Sequence, residues 1–271
     1  MTRKVWLSLD WDFFCREEPE WDWGHSEDGN IYQTIAWNIR ATTALARGID
    51  LRKETSLQHS KPAPARFWRS LERLGFNFDR VLGLGIADSH RHAYRFFKEL
   101  PDAQATQIVH IDAHHDLFYS VPSLKHSDEN DDPRCDDWHL LTLLRGKLRS
   151  LVVYPQWKGL CEWEDLLETI TSVDTQSSWA TARMLQKIVD TCVWGDPHVP
   201  AVAGEVEGIF ICRSGAWVPP WHDLAFNRFV QAAEDIAGED SVVYGEDPRI
   251  RRPFNWRSVQ HFADKMRQEL G

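Results

Sequence analysis

Short, continuous apolar runs alternate along this chain with longer segments whose apolar residues recur at helical spacing. The runs Val5 to Leu9, Val81 to Ile86, 107 to 112, 150 to 154 and 208 to 212 are rich in Val, Ile and Leu and end at polar or turn residues, so they predict buried strands. Helical spacing covers Ile31 to Arg47, stopped by Gly48, and Ala65 to Leu74, opened by Pro62 and Pro64 and ended by Gly75. Further helices are predicted over 90 to 100, 138 to 148, 178 to 193, 223 to 237 and 256 to 269, while Pro197, Pro200 and Gly204 mark loops. Strands alternating with helices imply an α/β fold, a mainly parallel sheet between two helical layers. No repeat, low-complexity segment or long linker divides the 271 residues, so 1–271 reads as one domain.

Three of the predicted strands end in acids and histidines. Val5-Trp6-Leu7-Ser8-Leu9 leads into Asp10-Trp11-Asp12, and Ile108-Val109-His110-Ile111 leads into Asp112-Ala113-His114-His115-Asp116. The run ending at Ile86 leads into Ala87-Asp88-Ser89-His90, with His92 a competitor for the role of His90. Ligands of open α/β sheets gather at the C-terminal strand ends. Side chains two apart on an extended chain share a face, so Asp112, His114 and Asp116 are expected to converge, as are Asp10 and Asp12. Carboxylates mixed with imidazoles suit Mn, Fe(II), Co or Zn rather than a thiol-rich structural zinc site. The competing reading is that the acids are turn or helix-cap residues.

Composition narrows the setting. With 31 basic and 41 acidic residues the formal charge is −10, which disfavours broad nucleic-acid binding and favours a cationic partner. The 5 cysteines are odd in number and lack CxxC spacing, as expected for a reduced cytosolic protein. No apolar run approaches the ~20 residues of a membrane helix, and no secretory signal pattern is seen. The chain carries 14 tryptophans, several of them (Trp21, Trp23, Trp138, Trp157, Trp194, Trp217, Trp221) in polar, turn-rich surroundings. Such rings either line a groove for guanidinium groups or staple loops to the body.

The strand-end motifs resemble those of the ureohydrolase superfamily of arginases and agmatinases. That family uses a His preceded by Asp, an Asp-Ala-His-x-Asp motif and a Ser-x-Asp-x-Asp motif. Here Asp88-Ser89-His90 replaces the usual Asp-His, and Ser8-Leu9-Asp10-Trp11-Asp12 comes first rather than last, which implies a circularly permuted chain. A closer resemblance is to peptide arginases, through Leu-Asp-Trp-Asp-Phe-Phe at 9 to 14, His110 to Leu117, Asp137-Trp138 and Leu151 to Trp157. The segment Ile209 to Trp221 is similar to the same family, with no role derivable from its residues.

The resemblance implies a three-layer arginase/deacetylase-like fold and two Mn(2+) ions. Asp112 and Asp10 would bridge the ions, His90 and Asp116 would complete one, and His114 and Asp12 the other. It implies hydrolysis of the guanidino group of arginine residues in a ribosomally made precursor peptide, giving ornithine residues and urea. Asp116 would orient the attacking hydroxide. His139 is preferred to His126 as proton shuttle, and Glu27 is the candidate carboxylate for the guanidinium. Free arginine as substrate, a one-zinc deacetylase and a non-catalytic peptide-binding protein are the alternatives.

Overall fold

A computed structural model describes residues 3–16, 30–55, 57, 61–100, 103–119, 121–146, 148–158, 192–195, 203–238 and 254–270. Six strands form one sheet: β1 (Lys4–Asp10), β2 (Gly83–Ala87), β3 (Gln107–Ile111), β4 (Arg149–Val153), β5 (Cys192–Gly195) and β6 (Glu205–Cys212). Their order across the sheet is β2, β6, β1, β3, β4, β5, and every neighbouring pair is parallel. The described helices are α1 (Asn30–Ala46), α2 (Leu51–Glu54), α3 (Phe67–Arg73), α4 (Arg91–Glu99), α5 (Val121–Asn130), α6 (Trp138–Arg145), α7 (Asp223–Ala237) and α8 (Trp256–Leu270).

The two sheet faces differ in what they carry. On one, Val5, Leu7 and Leu9 of β1, Val109 and Ile111 of β3, and Ile209 and Ile211 of β6 pack with Phe67, Trp68 and Leu71 of α3 and Phe226, Phe229 and Val230 of α7. On the other, Ile108, Phe210 and Cys212 pack with Ala93, Phe96 and Phe97 of α4 and Trp138, Leu140 and Leu141 of α6. Strand alternation puts Trp6, Ser8 and Asp10, and likewise Ile108, His110 and Asp112, toward the second face. The apolar half of that face is at the start of the strands and the polar half at their C-terminal ends. Helices over both faces make the α/β/α layering expected from the alternation. A third cluster, Trp37, Ala41, Leu51 and Val259, joins α1, α2 and α8, with Trp221, Phe254 and Trp256 against it.

Two segments depart from expectation. Residues 121–130, whose polar Ser-Asp-Glu-Asn stretch reads as loop, form α5, with Leu124 and Ser127 buried and Lys125 facing Glu129 at i,i+4. Residues 192–195 form β5, at the end of a span read as helix, because Ser150 to Val153 of β4 offer a parallel edge to pair with. The remainder of that predicted helix, 178–191, lies outside the described residues.

Gly85 on β2 is required by close packing. A Cβ there would lie 2.6 Å from Cδ2 of Phe210 and 2.9 Å from Cδ2 of Phe96. Phe210 in turn stacks on His90, with ring centroids 5.8 Å apart. Gly85→Ala is therefore expected to destabilise the fold by about 1–3 kcal/mol through overpacking, seen as a lower urea midpoint; an unchanged midpoint would mean that both rings move aside freely.

Candidate metal centre

Parallel register sets the site. Leu9 is level with Ile111 of β3, and Asp10 is level with Cys212 of β6, which is itself level with Ala87 of β2. The next residues, Asp112 after β3 and Asp88 to His90 after β2, therefore arrive at the same sheet edge as Asp10. Beyond the strands, turns rather than extended chain bring the remaining ligand candidates in. Asp10 caps a 3-10 turn, Trp11–Phe14, by accepting from the backbone N–H of Asp12 at 3.1 Å. Trp11, Phe13 and Phe14 are buried in the aromatic core, which holds Asp12 between them. Asp112 Oδ1 likewise accepts from the His114 N–H at 2.7 Å, turning the chain so that His114 faces Asp12. Asp116 adopts φ 51°, a left-handed conformation that Asp tolerates better than most residues.

Six side chains predicted as ligands come together. His90 Nδ1 lies 2.9 Å from Asp10 Oδ2, 3.1 Å from Asp112 Oδ2 and 3.1 Å from Asp116 Oδ2. His114 Nδ1 lies 3.0 Å from Asp12 Oδ2 and 3.6 Å from Asp112 Oδ1. Asp112 thus turns one oxygen toward each histidine. Around them, Ser8 Oγ is hydrogen-bonded to His90 Nε2 at 3.0 Å, leaving Nδ1 directed at the acids. The indole N–H of Trp138 donates to Asp116 Oδ2 at 2.7 Å, the Ala113 N–H donates to Asp12 Oδ1 at 3.3 Å, and the Ser214 hydroxyl donates to Asp10 Oδ2.

The electrostatics are those of a cluster that calls for a cation. Burial, reinforced by Asp10 and Asp112, raises the carboxyl of Asp12 well above the usual range. Burial and Asp112 raise that of Asp116 as well. Burial would raise Asp112 too, but His110, His114 and His90 outweigh it and hold it well below the usual value. Burial opposes a charge on His90, and the carboxylates, Asp10 foremost, overcome it and raise that ring well above its ordinary value. His90 Nδ1, Asp12 Oδ2 and Asp112 Oδ2 are buried and make no hydrogen bond. Buried polar atoms left in this way, pointing at one another across a small space, fit a divalent cation. Among the described residues, three groups have ligand atoms within 4.8 Å of one another and could hold one: Asp10 with His90 and Cys212, His90 with His110 and Asp112, and Asp12 with Asp112 and His114.

Other expectations fare differently. His139 is fully buried, its Nδ1–H donating to the His115 carbonyl at 3.0 Å and its Nε2 hydrogen-bonded to Ser150 Oγ at 2.8 Å. Burial, with the neighbouring His110, keeps it well below the ordinary histidine value. Both nitrogens of this ring, the expected proton shuttle, are thus engaged by core partners. His126 is on the exposed side of α5 beside Asn130, and His92 sits in the first turn of α4, outside the cluster. Glu27 lies outside the described residues, as do Trp21 and Trp23. Trp138, for which groove lining and stapling were the two readings, is buried beneath the site, as the second has it. Trp217 does stand at the site, its ring 5.5 Å from that of His114.

Sequence reasoning missed His110, Ser8, Cys212 and Ser214. The first two were within reach of the same two-residue alternation, His110 before Asp112 and Ser8 before Asp10. Cys212 and Ser214 carried no such signal, because their place depends on β6 lying between β1 and β2. That insertion also explains the 209–217 segment: Arg213 Nε and a terminal nitrogen grip Asp88 at 2.6 and 2.8 Å, tying β6 to the turn that carries His90. Comparison with protein-family models, with curated proteins and with solved structures gives no match.

Trp138→Phe keeps a ring in place but removes the hydrogen bond that orients Asp116. Divalent-cation affinity is expected to fall about 10–100-fold, as for other partners that orient a ligand. Titration calorimetry on the variant checks this, and affinity equal to wild type would show that the indole only packs.

Proposed function

We propose that this chain is a dinuclear, manganese-dependent hydrolase of arginase type, converting arginine residues of a precursor peptide to ornithine with release of urea. The observation that carries the reading is Asp112, shared between two carboxylate–imidazole groups. Asp10, Asp112, Asp116 and His90 would hold one ion, and Asp12, Asp112 and His114 the other. A pair of divalent cations supplies Lewis acidity and makes water a nucleophile near neutral pH.

The chain's own residues do the rest. Trp138 holds Oδ2 of Asp116, which leaves the other carboxylate oxygen to take the proton of the attacking water and return it to arginine Nε as the Cζ–Nε bond breaks, that nitrogen becoming Nδ of ornithine. Of the six ligand candidates only His114 has much exposure, its side chain 19% accessible, so substrate approaches from that side. There Trp217 offers an aromatic face to a guanidinium. The excess of 41 acidic over 31 basic residues favours a cationic peptide, and Glu27 is the proposed carboxylate partner of the arginine side chain. Such chemistry on a ribosomal peptide belongs in the cytoplasm.

Protein reconstituted with manganese and given either free arginine or an arginine-containing peptide is expected to release urea from the peptide, with the matching loss of mass. Urea from free arginine alone would sink the peptide assignment. Metal analysis should return two ions per chain; a single zinc would favour a deacetylase-type centre. Asp112→Ala is expected to lose both ions and all turnover, and retained binding of both would remove Asp112 from the bridging role.

A further inference from the structure

Beneath the six ligand candidates lies a histidine that faces two of the acids without a hydrogen bond. His110, on β3, is fully buried, and neither of its ring nitrogens makes a hydrogen bond. Its Nε2 lies 3.2 Å from Asp112 Oδ2 and 3.7 Å from Asp116 Oδ2, two of the three oxygens that also face His90 Nδ1. The ring is wedged among those of His139, His90 and Trp138, with centroids 4.8, 5.2 and 5.3 Å away. Neighbouring His139 shows what a histidine kept for packing looks like here, since both of its nitrogens are committed to core partners.

The separations fit coordination. Two donors each about 2.1 Å from one ion, at right angles, are about 3.0 Å apart. His90 Nδ1 and His110 Nε2 stand 3.1 and 3.2 Å from the same oxygen of Asp112. The ligand atoms of His90, His110 and Asp112 also lie within 4.8 Å of one another, so a single cation could meet both imidazoles and that carboxylate. The inner position then has two nitrogens with carboxylates of Asp10, Asp112 and Asp116, whereas the outer position has one nitrogen, from His114, with Asp12 and Asp112. Carboxylates outnumber imidazoles at both positions, but the second imidazole shifts the inner set toward zinc-class ions, which imidazole suits, and away from manganese, which carboxylate suits.

We propose that His110 is a second imidazole donor at the inner position, so that the two positions are chemically unequal and the inner one prefers a zinc-class cation to manganese. This rests on the dinuclear reading above but concerns metal selection, so it stands or falls independently of the substrate.

The test is anomalous diffraction from crystals of metal-free protein supplied with one equivalent of Zn(2+) and excess Mn(2+). Zinc is expected only at the His90 and His110 position, about 2.0–2.1 Å from His110 Nε2, with manganese beside His114. Zinc at both positions or at the His114 position overturns the proposal, as does a His110 ring that only hydrogen-bonds Asp112. One ion in total overturns the dinuclear reading and this inference with it. In solution, dialysis against excess manganese should leave wild type with its zinc, while His110→Phe retains it at least about tenfold less well. Equal retention overturns the donor role. Should that variant fail to fold by circular dichroism, His110→Leu replaces it, and the wild-type diffraction decides in either case.

Discussion

Four carboxylates, those of Asp10, Asp12, Asp112 and Asp116, are almost wholly buried within a few ångströms of one another, and their mutual repulsion is the constraint around which the structure is arranged. Two ionised carboxylates about 4 Å apart repel by roughly 4 kcal/mol at an effective dielectric of about 20. Several such contacts would exceed much of the ~5–15 kcal/mol by which a domain is stable. Hydrogen bonds from Ser214, Trp138, Ala113 and the His114 backbone spread the charge but do not cancel it. Three imidazoles stand among the acids, and the groupings could hold a cation that would complete the compensation they begin.

The scaffold that tolerates this cost is apolar and rigid. One sheet face is filled with aliphatic strand residues against α3 and α7, and the aromatic group of Trp11, Phe14, Phe67 and Phe229 clamps the turn that carries Asp12. On the other face, Phe96, Phe97 and Phe210 pack beneath His90, and α6 delivers Trp138 to Asp116. The buried Asp88–Arg213 pair joins the ends of β2 and β6, and Trp37 and Arg40 of α1 donate to the carbonyls of Gly215 and Ala216. The loop bearing Ser214 and Trp217 is thus held from both sides, which fixes Trp217 beside His114.

Much of this was legible before the fold was known. Apolar runs located five of the six strands, because a strand buried on both faces must be continuously apolar; β5, Cys-Val-Trp-Gly, was too short to stand out. The acids and histidines stood out as a candidate site because they cluster at the ends of apolar strands, although Asp10 and Asp112 also cap turns, as the competing reading had it. Their convergence was anticipated for a partly wrong reason: extended alternation carries only as far as Asp10 and Asp112, and capped turns bring in Asp12, His114 and Asp116. His139 was preferred to His126 as a ring held firmly at a helix start, and α6 does bury its first turn against the sheet.

The sequence by itself determined which residues would be buried, which chemistry they carry, and that strand ends would present it, since these follow from local periodicity and side-chain type. Only the tertiary structure decided which strands are neighbours. Placing β6 between β1 and β2 brought Cys212 and Ser214 beside Asp10, and packing α6 on the sheet gave Asp116 its indole partner and left His110 facing the acids. Those contacts join residues up to two hundred positions apart, and no local pattern encodes them because they arise from burying one element's surface against another's.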